Sequence, residues 1–168
     1  MLSVLRLFYC LTLVLIVMTS CSTNPMNGGD PTDEFWFRNP DLRAVAEQRM
    51  ESARMKLHTI QDVKNLQSQF TWILEIEEFE PTIEIVFARN LVGSCKSAAV
   101  LGQWSLAQIG IESRFVELSG NNVESHIIVI SYNNTIMISN NEVVTGLDSE
   151  LWQNQVLSLF GWKYTRIE

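Results

Sequence analysis

The chain has 168 residues, with 12 lysines and arginines against 19 aspartates and glutamates, a formal net charge of −7. That acidity argues against a phosphate-binding surface and so against nucleic acid as a partner. A composition of 46 % hydrophobic and 18 % charged residues excludes an intrinsically disordered chain, and three cysteines are too few for a disulfide framework.

Residues 1–20 read as a signal peptide. Arg6 and the amino terminus supply a positive start, and the apolar run from Leu7 to Met18 is too short for a membrane span of about 20 residues. The run ends in Met18-Thr19-Ser20-Cys21, which resembles the lipobox of bacterial lipoproteins. The resemblance implies that Cys21 is lipid-modified and becomes the first residue of the mature chain, held at a membrane by its acyl groups. Ser22, where Asp would signal inner-membrane retention, points to the outer membrane of a cell envelope. Residues 21–36 hold Asn24-Pro25, Gly28-Gly29 and Asp30-Pro31, the composition of a flexible tether.

The remaining 37–168 read as one α+β domain. Leu42, Val45, Ala46, Met50, Ala53 and Leu57 follow a helical period with Asp41 as a cap, and Val63, Leu66, Phe70, Ile73 and Leu74 form a second amphipathic stretch. Glu75, Glu77, Glu78 and Glu80 make a solvated acidic face, and Ile83, Val86 and Phe87 a short helix. Residues 95–109 give the clearest helix. Ala98, Leu101, Gly102, Ser105, Leu106 and Ile109 share one face, Ser94 is a candidate cap, and Gly110 ends it. Strands follow at Arg114–Ser119, Glu124–Tyr132 and Thr135–Asn140, with turn signals at Gly120-Asn121-Asn122 and Asn133-Asn134. Trp152, Val156, Leu159 and Phe160 mark a late helix, and Trp162–Ile167 a final strand. Helices followed by a run of adjacent strands imply an α+β fold, with N-terminal helices and the 95–109 helix packed on a small antiparallel sheet.

Chemistry centres on Cys95, the free thiol left once Cys10 departs with the leader and Cys21 is lipidated. It follows Gly93-Ser94 in the first turn of the helix, where the dipole favours a thiolate. Of the two histidines, His58 lies near a polar helix end and His126 opens an apolar strand, which makes His126 the candidate base. A base needs an orienting partner. A three-residue loop Tyr132-Asn133-Asn134 sets Asn140 opposite His126, and a two-residue loop Asn133-Asn134 sets Asn141 there. Asn140 is the narrow preference. No zinc-ligand set and no glycine-rich phosphate loop is present, so no metal or cofactor is expected.

In order and spacing the chain resembles the transglutaminase-like superfamily of papain-like cysteine enzymes. The resemblance rests on Gly93-Ser94-Cys95, on Gln108-Ile109-Gly110-Ile111-Glu112-Ser113-Arg114-Phe115-Val116, and on a strand opened by His126. It departs from the family where Ile127-Ile128 follow the histidine, where Lys96-Ser97 follow the cysteine, and where an amide replaces the usual third carboxylate. The resemblance implies a papain-like fold with Cys95 as nucleophile, His126 as base, Asn140 as orienting residue and Trp72 near the oxyanion site. It implies an amide or peptide substrate, including peptidoglycan-type amides, resolved by water or by an amine. The competing expectation is an inactive domain of the same fold serving as an envelope adaptor.

Overall fold

The computed structural model describes residues 31–74, 81–121 and 123–168. Residues 1–30, with the expected signal peptide and the candidate lipidation site Cys21, and the acidic run Glu75–Glu80 lie outside the described residues. Helix α1, Pro31–Arg38, begins inside the stretch read as tether. Proline suits a first helical position because the N–H it lacks has no partner there. Phe35 and Trp36 pack against the apolar core, so the folded body starts earlier than composition implied.

Helix α2 is Leu42–Arg54, with Asp41 at its cap position but making no side-chain cap bond. Helix α3, Ile60–Gln67, opens on a capping box in which Thr59 and Asp62 satisfy each other's backbone N–H groups. The Thr59 hydroxyl and the backbone N–H of His58 hold the Asp62 carboxyl below its usual range. The amphipathic stretch does not continue to Leu74 as a helix. Phe70 is buried, but Thr71–Trp72 forms strand β1, parallel to strand β2, Val92–Gly93, and Ile73 and Leu74 are exposed. Backbone bonds from Thr71 N to Leu91 O and from Ile73 N to Gly93 O satisfy groups a helix would have used.

Helix α4, Ile83–Ala88, precedes β2, and the connection passes through Asn90 and Leu91, with φ of 57° and 61°. Helix α5, Cys95–Gln108, follows β2, and Gly110, with φ of 75°, turns the chain after it. Strands β3 (Ser113–Gly120), β4 (Val123–Ser131), β5 (Ile136–Ser139) and β6 (Glu142–Thr145) then build an antiparallel sheet. Helix α6, Trp152–Leu159, and strand β7, Arg166–Ile167, complete it, in strand order β6-β5-β4-β3-β7. The mixed α/β character and the antiparallel sheet are as expected. Strand β6 is an addition, and β7 is shorter than the run 162–167.

Alternation along the strands divides the core between the two faces of the sheet. Val129 and Ile138 point with Ala99 and Leu106 to the α5 side. Val116, Leu118, Ile128, Ile130 and Met137 point with Trp152, Val156 and Tyr164 to the α6 side. The α5 contact is close: a Cβ on Gly102 would lie 2.9 Å from Ile138 Cγ2, so glycine is needed for this approach. Among the described residues, no helix is long and apolar enough to cross a membrane.

Candidate functional site

Cys95 is the first residue of α5 and the free cysteine of the described residues, half-buried. Ser94 occupies the cap position with an extended backbone, but its side chain makes no cap bond. Trp72 pairs with Gly93 across the β1–β2 ladder, which brings its backbone beside the approach to Cys95. Its side chain is 51 % exposed.

Connectivity carries the other groups to the same end of the sheet. The chain leaves α5 and returns along β3, and β4 runs antiparallel to β3, so the start of β4 lies at the Cys95 end. Strand β5 is antiparallel to β4 and therefore finishes at that end. Gln67 joins the elements physically: its Nε2 donates to Ala98 O, in the first turn of α5, at 3.1 Å and to Asn140 O just beyond β5.

His126 is 8 % exposed, and its Nε2 is hydrogen-bonded to Ser139 Oγ at 2.9 Å. The ring lies edge-on to Phe160, with centroids 5.4 Å apart, and near-parallel to Tyr164 at 6.1 Å. Burial, and then the charge of Lys163, push the imidazole below its ordinary range. The ring is therefore neutral at pH 7, the form a general base requires. Burial, then the Cys95 charge, then Glu124, raise the Tyr164 hydroxyl. Tyr164 thus touches the imidazole with its ring and lies within the field of the thiol.

Two expectations change here. The partner of His126 is Ser139 rather than Asn140. Pairing of Val129 with Ile138 and of Ile130 with Met137 is the register of the two-residue loop, which extrapolates to Asn141 opposite His126. Neither asparagine occupies the ladder: Ser139 pairs with Glu142, so Asn140 and Asn141 form the β5–β6 turn, Asn140 with φ of 47°. Ser139 shares the face of His126 as its diagonal neighbour. The signal that could have found it is the count of residues between the hairpin turn and the end of the apolar run. Second, no hydrogen bond joins Cys95 to His126. The parity that aligns His126 with Ile128 and Ile130 sends its ring to the α6 side, while α5 covers the other face.

His58 is exposed, and its backbone N–H serves the α3 start. Among the described residues, no three His, Cys, Asp or Glu side chains gather as a metal site. A cavity of about 620 Å³ lies among α2, α3 and Phe87, and its lining includes neither Cys95 nor His126. No family model matches the chain, and no curated protein and no solved structure resembles it closely enough to count as a match.

Proposed function

We propose that the chain is a lipid-anchored envelope protein carrying a transglutaminase-like, papain-like cysteine hydrolase or acyltransferase domain. The observation that carries this reading is the His126–Ser139 pair. Ser139 engages Nε2 at the sheet end that the first turn of α5 adjoins, and Nδ1 carries no hydrogen bond.

Cys95 is the nucleophile and His126 the base. The neutral imidazole takes the thiol proton, and the sulfur attacks the carbonyl carbon of an amide. The negative charge on the carbonyl oxygen is met by the backbone N–H of Cys95, with Trp72 beside it. Collapse of the intermediate breaks the C–N bond, and the imidazolium returns the proton to the departing amine. Water then resolves the thioester to an acid, or an amine resolves it to a new amide, and the thiol is restored. Ser139 orients the ring, as a third residue does in such triads. Its hydroxyl is uncharged, so it steadies imidazolium less than a carboxylate would. Lipid on Cys21 holds the domain at the membrane, and Ser22 favours the outer membrane.

A second reading is favoured by one observation. Cys95 and His126 are not hydrogen-bonded, which suits an inactive adaptor of the same fold. The two separate by alkylation of Cys95 in the full chain across pH, read by mass spectrometry on the tryptic peptide Asn90–Lys96. A working pair gives a wild-type profile at lower pH than that of His126→Gln. Superimposable profiles sink the enzyme reading and leave the adaptor.

A further inference from the structure

We propose that Gln67 is a positioning residue for the Cys95–His126 pair: its side-chain amide ties the helix that carries Cys95 to the turn that follows Ser139. The inference rests on the reading of Cys95 as nucleophile and His126 as base.

Gln67 is the last residue of α3 and has 0 % exposure. Its Nε2 donates across element boundaries in two directions, to Ala98 O in α5 and to Asn140 O in the β5–β6 turn. Two carbonyl partners fix which way the amide faces, because turning it over would set Oε1 against two oxygens. Oε1 is left buried with no hydrogen bond, and so is Asn140 Oδ1. A buried unpaired acceptor opposes folding. Methionine would fill the same length without that acceptor, so packing alone does not call for glutamine here. A requirement on where Ala98 and Asn140 stand relative to each other does.

That spacing matters to the chemistry. Ala98 lies one turn after Cys95, and Asn140 directly follows the residue that holds His126 Nε2. A shift of the turn moves Ser139 and with it the hydrogen bond that orients the imidazole, and misplacement by about 1 Å can cost about 100-fold in rate. Among the described residues, a second side-chain tie from α3 to the sheet, Lys64 Nζ to Thr145 Oγ1 at 3.5 Å, is exposed and long. Gln67 is the buried one.

The test follows Cys95 alkylation in the full chain between about pH 5 and pH 9, the span in which histidine and cysteine titrate. It compares wild type with Gln67→Met, Gln67→Glu, His126→Gln and Val63→Ala. Val63 is buried in α3, packs with Ala99 and Ile138, and has no hydrogen-bonding side chain, so its truncation loosens packing alone. Lys163, Tyr164 and, through Tyr164, Glu124 also face this region and are unchanged in every variant. Gln67→Met is expected to slow alkylation at neutral pH about tenfold, the equivalent of one pKa unit, towards the profile of His126→Gln. Val63→Ala keeps the wild-type profile. Gln67→Glu falls between, because a buried neutral carboxyl donates one hydrogen bond where the amide donates two. A wild-type profile in Gln67→Met, with His126→Gln displaced, overturns the positioning role and leaves the Cys–His reading standing. An equal displacement in Val63→Ala overturns it as general loosening. An undisplaced His126→Gln removes the Cys–His reading and the positioning role together. If Gln67→Met does not fold, a wild-type profile in Gln67→Glu overturns the proposal.

Discussion

The two faces of the sheet are built for different ends. The α5 face is closely fitted: Ala99, Leu106, Val129 and Ile138 meet across a contact that only a glycine at 102 allows. The α6 face begins the same way, with Leu118, Ile128 and Ile130, but finishes in His126, Ser139, Tyr164 and Phe160. Its cover is an eight-residue helix and the segment with Tyr164 that leads from it into β7. One face is specialised for cohesion and the other carries polar groups at its open end. Burial there tunes an imidazole, where on the α5 face it stabilises the fold.

The largest test of that contrast is Leu106→Ala. Leu106 has no exposure, and its truncation is expected to cost about 2–5 kcal/mol, seen as a lower urea midpoint with an unchanged slope. Phe160→Ala, at the partly buried end of the other face, is expected to cost less. Equal losses would erase the distinction between the faces. A smaller effect attaches to the polar pair. Ser139→Ala removes one hydrogen bond to His126, a change of about 0.5–1.5 kcal/mol. In a double-mutant cycle with His126→Gln the two changes should couple, and strict additivity would mean that the bond contributes nothing.

The smallest effect is a pH dependence. His126 binds its proton more weakly when folded, because burial and then Lys163 depress it. Its contribution to stability is full above about pH 6.5 and is lost as pH falls below that towards the folded value. Wild type should therefore lose more stability than His126→Gln between pH 7.5 and pH 5, roughly the window of imidazole titration. Asp62, also depressed, acts only lower, in the carboxylate range. Parallel losses in both chains would mean that the imidazole is not strained by its surroundings.

Much of this architecture is legible in the residues. Helix α5 and strands β3 and β4 are long and patterned, so Cys95 at a helix start and His126 in the first half of a strand could be placed from spacing alone. The short pieces could not. Strands β1 and β2 have two residues each and pair in parallel across a connection that includes α4, a contact no local pattern encodes. Helix α1 begins at Pro31, which composition assigns to a turn, and its identity comes from the packing of Phe35 and Trp36. The partner of the histidine turned on a single-residue difference in loop length. Register moves every side chain on β5 by one place, and loop chemistry at Asn133-Asn134 fits both outcomes.

The bend before β2 has a consequence for how the chain can vary. Leu91 is buried to 8 % exposure and sits at φ of 61°, a conformation costing a leucine about 1–2 kcal/mol. Glycine would relieve that strain but give up apolar burial of about 1.5–3 kcal/mol, so the two changes nearly offset. Inheritance at position 91 is thus only weakly guarded by stability. What glycine would alter is direction, because a freer backbone enters β2 by more than one path and Cys95 stands four residues on. Drift at this bend would pass unnoticed in a melting curve and be felt first at the sulfur.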